Sequence, residues 1–134
     1  MAGEVISPVL DTHVLLWWSL DPDMLSSRAR SACSEIGRTG AVVSSISIWE
    51  LGIKIKRGKL DIGLDIAEYL RRLRRLSSLS IVPVDAATWV QNLNLDWSHD
   101  DPADRTIVAT ALMRDADLIS KDRNMRDFYD RTIW

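Results

Sequence analysis

A chain of 134 residues, 46% hydrophobic and 27% charged, has the size and makeup of one globular domain and is too apolar for a disordered one. Net charge is −2, from 17 basic and 19 acidic residues, so charge alone neither requires nor forbids a nucleic-acid partner. No run approaches ~18 apolar residues, so no membrane span is expected, and a lone Cys33 excludes an internal disulfide framework and a zinc finger.

The lone thiol fits a reducing, cytoplasmic setting. Met1-Ala2-Gly3-Glu4 puts no basic stretch ahead of an apolar one, which argues against a signal peptide. In chain order, residues 5–10 read as a buried strand that Pro8 confines toward Val9. A helix follows through Leu15, Leu16 and Trp18, then turn chemistry at Asp21-Pro22-Asp23. Residues 27–36 read as a helix ended by Gly37 and Gly40. Residues 41–45 are a second strand, after which Ser47 caps a helix through about Lys56, with Gly58 as its stop. Ile66, Tyr69, Leu70 and Leu73 form one apolar stripe on a helix over 65–76. Residues 79–84 are a third strand, and Asp85 caps the helix behind it. Asp101-Pro102 opens a helix to about Arg114, residues 117–120 are a fourth strand, and 131–134 a fifth. Strands that alternate with helices predict an α/β fold, a mostly parallel sheet of four to five strands with helices on both faces, as a single domain over 1–134.

Ligands of such sheets bind outside the carboxyl ends of the strands. Four acids are expected there: Asp11 after strand one, Glu50 early in the helix after strand two, Asp104 in the first turn of the helix before strand four, and Asp122 just past strand four. Clustered carboxylates repel unless a cation joins them, and Mg²⁺ or Mn²⁺ prefers oxygen ligands. Plainer roles compete. Asp11 can cap a helix. Glu50 stands at capping-box spacing from Ser47 and ion-pair spacing from Lys54. Asp101 reads first as an N-cap, with a ligand role open, and Asp122 can be a turn residue. Asp104 shares a helix face with Ile107, Val108, Ala111 and Leu112, where an unpaired charge is costly.

The segment Val9-Leu10-Asp11-Thr12-His13 through Trp18 resembles the opening motif of PIN-domain proteins, in particular VapC toxins of type II toxin–antitoxin systems. Ser44-Ser45-Ile46-Ser47-Ile48-Trp49-Glu50 resembles their second motif, His99-Asp100-Asp101-Pro102-Ala103-Asp104-Arg105 the third, and Leu118-Ile119-Ser120-Lys121-Asp122 the fourth. The resemblance implies a Rossmann-like PIN fold and a metal-dependent endoribonuclease. It implies Asp11, Glu50, Asp104 and Asp122 as the acids that bind Mg²⁺ or Mn²⁺. Thr12, Ser120 and Asp101 are auxiliary candidates. Ser120 stands where the family usually has Thr, and Ala103 where the subgroup commonly has a bulky aromatic. The resemblance further implies a homodimer, a VapB-like antitoxin that occludes the acids, DNA contact only through that antitoxin, and an RNA substrate such as tRNA.

Residues 54–75 are net +5 and the rest of the chain −7. Lys54 and Arg57 continue the helical face of Glu50 and, with Arg105, are candidates to hold RNA phosphates. Trp18, Trp49 and Trp89 read as core or interface, Trp17 as a base-stacking platform, His13 and His99 as hydrogen-bonding neighbours of the acids, and Cys33 as a packed small residue. Two alternatives compete with the nuclease. Another Mg²⁺-dependent phosphohydrolase of the haloacid-dehalogenase type would want an Asp at position 13, which is His13. A non-cleaving PIN-like RNA- or protein-binding module would not need four converging acids.

Overall fold

In the computed structural model, which describes residues 5–134, five short strands form one parallel sheet. They are β1 (Val9–Leu10), β2 (Ala41–Ser44), β3 (Leu79–Val82), β4 (Leu118–Ile119) and β5 (Thr132–Ile133), in the order β3-β2-β1-β4-β5. The helices are α1 (Thr12–Leu20), α2 (Ser27–Ser34), α3 (Ile36–Thr39), α4 (Ser45–Lys56), α5 (Ile66–Arg74), α6 (Ala86–Asn94), α7 (Pro102–Met113) and α8 (Arg123–Phe128). The absence of a signal peptide was expected at Met1–Glu4, which lie outside the described residues. Among the described residues no helix is long and apolar enough to cross a membrane.

Alternation along the strands divides the core. Leu10, Ala41, Val43 and Ile119 face one side, with residues of α1 to α5 packed on them. Val9, Val42 and Leu118 face the other, covered by Ile107, Val108 and Ala111 of α7 and Met125 of α8. Strands buried on both faces need no polar alternation, which is why they read as unbroken apolar runs. The chain builds outward from β1 through β2 to β3, then returns to place β4 on the other side of β1. The crevice between β1 and β4 is therefore the switch point where such folds bind ligands.

Local chemistry sets the boundaries. Asp65, Asp85, Asp101 and Asp122 each cap a helix by accepting from a backbone N–H three residues on. Several expectations need correction. The helix expected over 27–36 ends at Ser34, and Gly37 lies inside short α3, which Gly40 (φ 74°) terminates. The cap of α4 is Ser44, whose hydroxyl accepts from the Ile46 N–H; Ser47 is a buried residue of its first turn. β3 stops at Val82, ahead of Pro83. α8 has no counterpart in the sequence reading, because six residues are too few to display an apolar stripe. Trp49 and Trp89 are 63% and 42% exposed and so are not core.

Cys33 is buried against the α1–α5 face, and burial pushes its thiol up to about 11. From an ordinary value of 9.0, that lowers the thiolate fraction near neutrality about a hundredfold. A disulfide reagent at pH 8 should therefore modify native Cys33 at least about a hundredfold more slowly than the urea-unfolded chain. Equal rates would place the thiol at the surface.

Candidate active site

Asp11 is the first residue beyond β1 and is buried. Its Oδ1 accepts the Thr12 N–H (2.7 Å), so it also caps α1, and its Oδ2 accepts the Ser120 hydroxyl (2.7 Å). Burial pushes the Asp11 carboxyl above the usual range; the Ser120 and Thr12 hydrogen bonds oppose that, and the Glu50 charge adds to it. Ser120, the first residue after β4, also accepts the Asp122 N–H at Oγ (3.0 Å), and its bond to Asp11 ties the two strand ends together across the switch point. Asp122 caps α8 through Oδ1.

Glu50 is anchored by a hydroxyl relay. Thr12 Oγ1 donates to Glu50 Oε1 (2.5 Å), and the buried Ser47 hydroxyl lies 2.8 Å from Thr12 Oγ1. Since Thr12 has one hydroxyl proton, Ser47 must donate to it. The capping-box reading of Glu50 fails, since Ser44 is the cap. Glu50 makes no ion pair with Lys54 among the described residues.

Asp104 lies in the first turn of α7, and its N–H is taken by the cap Asp101 (3.0 Å). Its Oδ2 lies 2.7 Å from His99 Nε2. Burial pushes the Asp104 carboxyl up to about 6; the His99 hydrogen bond opposes this, and the charges of Asp101, Asp11 and Asp122 reinforce it. His99 is raised in turn, first by its bond to Asp104. Asp104 thus shares a field with Asp11 and Asp122, and Asp11 with Glu50. Among the described residues, no three acidic, His or Cys side chains are already placed to hold one metal ion between them.

A cleft of about 250 Å³ opens beside these acids, lined by Asp11, His13, Trp17, Lys121 and Asp122. Trp17 is half-buried between His13 and Trp134, with the Lys121 ammonium 5.9 Å from its ring. Lys121 was missed in the sequence, although it directly precedes Asp122. Lys54 and Arg57 lie on α4 beyond Glu50, Lys54 half-buried and Arg57 exposed, neither in an ion pair among the described residues. Arg105, a candidate RNA contact, has its guanidinium engaged within the fold. Its guanidinium donates to the carbonyls of Asn92, Leu95, Trp97 and His99.

The profile of the PIN domain matches residues 9–131. The chain belongs to the PIN-domain family. It is 34% identical over 120 residues to "Ribonuclease VapC22" of Mycobacterium tuberculosis, covering 88% of each chain. A solved toxin–antitoxin complex from Klebsiella pneumoniae shares the fold, with a TM-score of 0.65 and 18% identity, over 96% of this chain and 97% of that one. In this PIN domain the acids hold their places through hydroxyl and backbone donors, with the His99 ring beside Asp104.

The Thr12 relay can be tested through stability. Thr12→Val keeps shape but strands the Ser47 hydroxyl and a Glu50 oxygen, so it should cost about 1–3 kcal/mol in urea denaturation. Thr12→Ser should retain most of that stability. A Val variant as stable as the parent would show that the relay contributes nothing.

Proposed function

We propose that this PIN domain is a VapC-like endoribonuclease toxin that hydrolyses RNA phosphodiester bonds with Mg²⁺ or Mn²⁺ and is neutralised by a VapB-like antitoxin. The observation that carries the reading is the buried Asp11 carboxylate at the switch point, with Glu50, Asp104 and Asp122 around it and no cationic side chain bonded to it. Both Asp11 and Asp104 are held above the usual carboxylate range, largely by burial, which is the condition a bound cation reverses. The donor set is all carboxylate oxygen, the ligand type that a hard ion such as Mg²⁺ prefers.

Asp11, Glu50, Asp104 and Asp122 would hold the ion. When bound, such an ion supplies an activated water and stabilises charge on the phosphoryl oxygens. The chain's own residues do the rest. Ser120 and Thr12 fix both Asp11 oxygens, so that carboxylate cannot rotate away. The Ser47–Thr12 relay fixes Glu50. Lys121 at the cleft, and Lys54 and Arg57 beyond Glu50, supply positive charge for the phosphates on either side of the scissile one. Trp17 presents an aromatic wall to the cleft. A homodimer, a tRNA-like target, DNA contact through the antitoxin and a cytoplasmic setting complete the reading. Its ribonuclease and antitoxin parts are supported by similarity to a ribonuclease and to a toxin–antitoxin complex.

Cleavage of mixed RNA should require Mg²⁺ or Mn²⁺, stop with EDTA, and fall about a hundredfold or more in Asp11→Asn. Cutting that survives both treatments would end the metal-nuclease reading; no cutting under any condition, with RNA still bound, would favour a non-cleaving module. Thermal melts give a second readout. In EDTA, Asp11→Asn should be more stable than the parent by about 1 kcal/mol, because it removes a buried charge repelled by Glu50. Saturating Mg²⁺, at about 100 times its dissociation constant, should stabilise the parent by about 2.7 kcal/mol and leave the variant almost unchanged.

A further inference from the structure

Arg105 follows Asp104 on α7, yet its side chain is committed to the interior of the fold. Nη1 donates to the carbonyls of Trp97 (2.6 Å) and His99 (2.9 Å), Nη2 to those of Asn92 (2.7 Å) and Leu95 (3.2 Å). Asn92 belongs to the last turn of α6, whose free carbonyls attract a cation. The other three lie in residues 95–101, which have no regular secondary structure. Such a stretch has no ladder to hold it, and one guanidinium fork supplies three of its missing bonds while tying it to the end of α6.

The same stretch is gripped by aromatic contact. Trp97 stacks on Phe128 of α8, 4.7 Å between centroids at 11°, and its ring is 4.8 Å from that of His99. His99 is thereby fixed at three points: its carbonyl by Arg105, its ring by Trp97, and its Nε2 by Asp104 Oδ2 at 2.7 Å. By taking Oδ2, His99 sets which oxygen of Asp104 is offered to a cation.

We propose that Arg105 is a positioning residue for cation capture at Asp104, acting through the backbone of residues 92–99 and the His99 ring, and is not a phosphate contact. This rests on the reading of Asp104 as a ligand. Lysine cannot replace the fork, because an ammonium is a point donor that does not span four carbonyls. A phosphate contact, by contrast, would tolerate lysine.

The test is Mn²⁺ binding to the RNA-free protein by calorimetry, for the parent, Asp104→Asn, His99→Ala, Arg105→Lys and the His99→Ala/Arg105→Lys double variant. Asp104→Asn should weaken binding strongly. His99→Ala and Arg105→Lys should each weaken it about tenfold, as loss of an outer support does, and the double variant should be no weaker than either alone. Arg105→Lys should keep the parent's affinity for RNA in EDTA. If it does not fold, Trp97→Leu, which frees the same ring, replaces it in the cycle. Parent-like Mn²⁺ affinity in His99→Ala or Arg105→Lys, or additive losses in the double variant, would overturn the inference while leaving the metal site standing. Parent-like affinity in Asp104→Asn would overturn the metal-site reading and the inference with it.

Discussion

A carboxylate buried at the carboxyl end of a central strand governs this molecule. Asp11 accepts one hydrogen bond from a backbone N–H and one from a hydroxyl, and neither donor carries a charge. Neutral donors fix its direction without cancelling its field. A lysine or arginine at the same distance would cancel that charge. The costs of leaving the charge uncancelled are visible in the raised Asp11 and Asp104 carboxyls. The core must supply the stability that tolerates them, and two well-buried faces of a five-stranded sheet do so.

The hydroxyl of Ser120 has a double part in this. It donates to Asp11 and accepts from the Asp122 backbone, so β1 and β4 are joined beyond their last ladder bond. Thr12 plays the matching part toward α4, linking Ser47 and Glu50. Small hydroxyl residues thus register three elements against one another at the switch point. Long side chains would lose more rotamer freedom to do the same.

Much of this was legible in the sequence, because strands and caps are local statements. Apolar runs followed by Asp or Ser gave β1, β2 and β4, and Asp65, Asp85 and Asp101 cap where capping chemistry puts them. The misreadings are those that three-dimensional partners decide. Ser44 and Ser47 are both plausible caps by type; Ser47 is diverted because Thr12 reaches it from another helix. Nothing in the local sequence shows that the Arg105 guanidinium is taken up by the carbonyls of Asn92 at the end of α6 and of Leu95, Trp97 and His99 after it. Trp49 and Trp89 read as core or interface by hydrophobicity, and their exposure excludes only the core.

The basic segment shows the same limit in its electrostatics. Net charge over 54–75 suggests one continuous positive track, but Glu68 engages both Arg71 (2.6 Å) and Arg72 (3.6 Å). Such exposed pairs add little stability, though they lower the field that a polyanion would feel along α5. Lys54 and Arg57, free of ion pairs among the described residues, continue from Glu50 toward the end of α4, and Lys121 stands at the cleft itself. Positive charge that is both uncompensated and next to the acids therefore concentrates on α4 and the β4–α8 turn. Arg71 and Arg72 of α5, by contrast, share their field with Glu68.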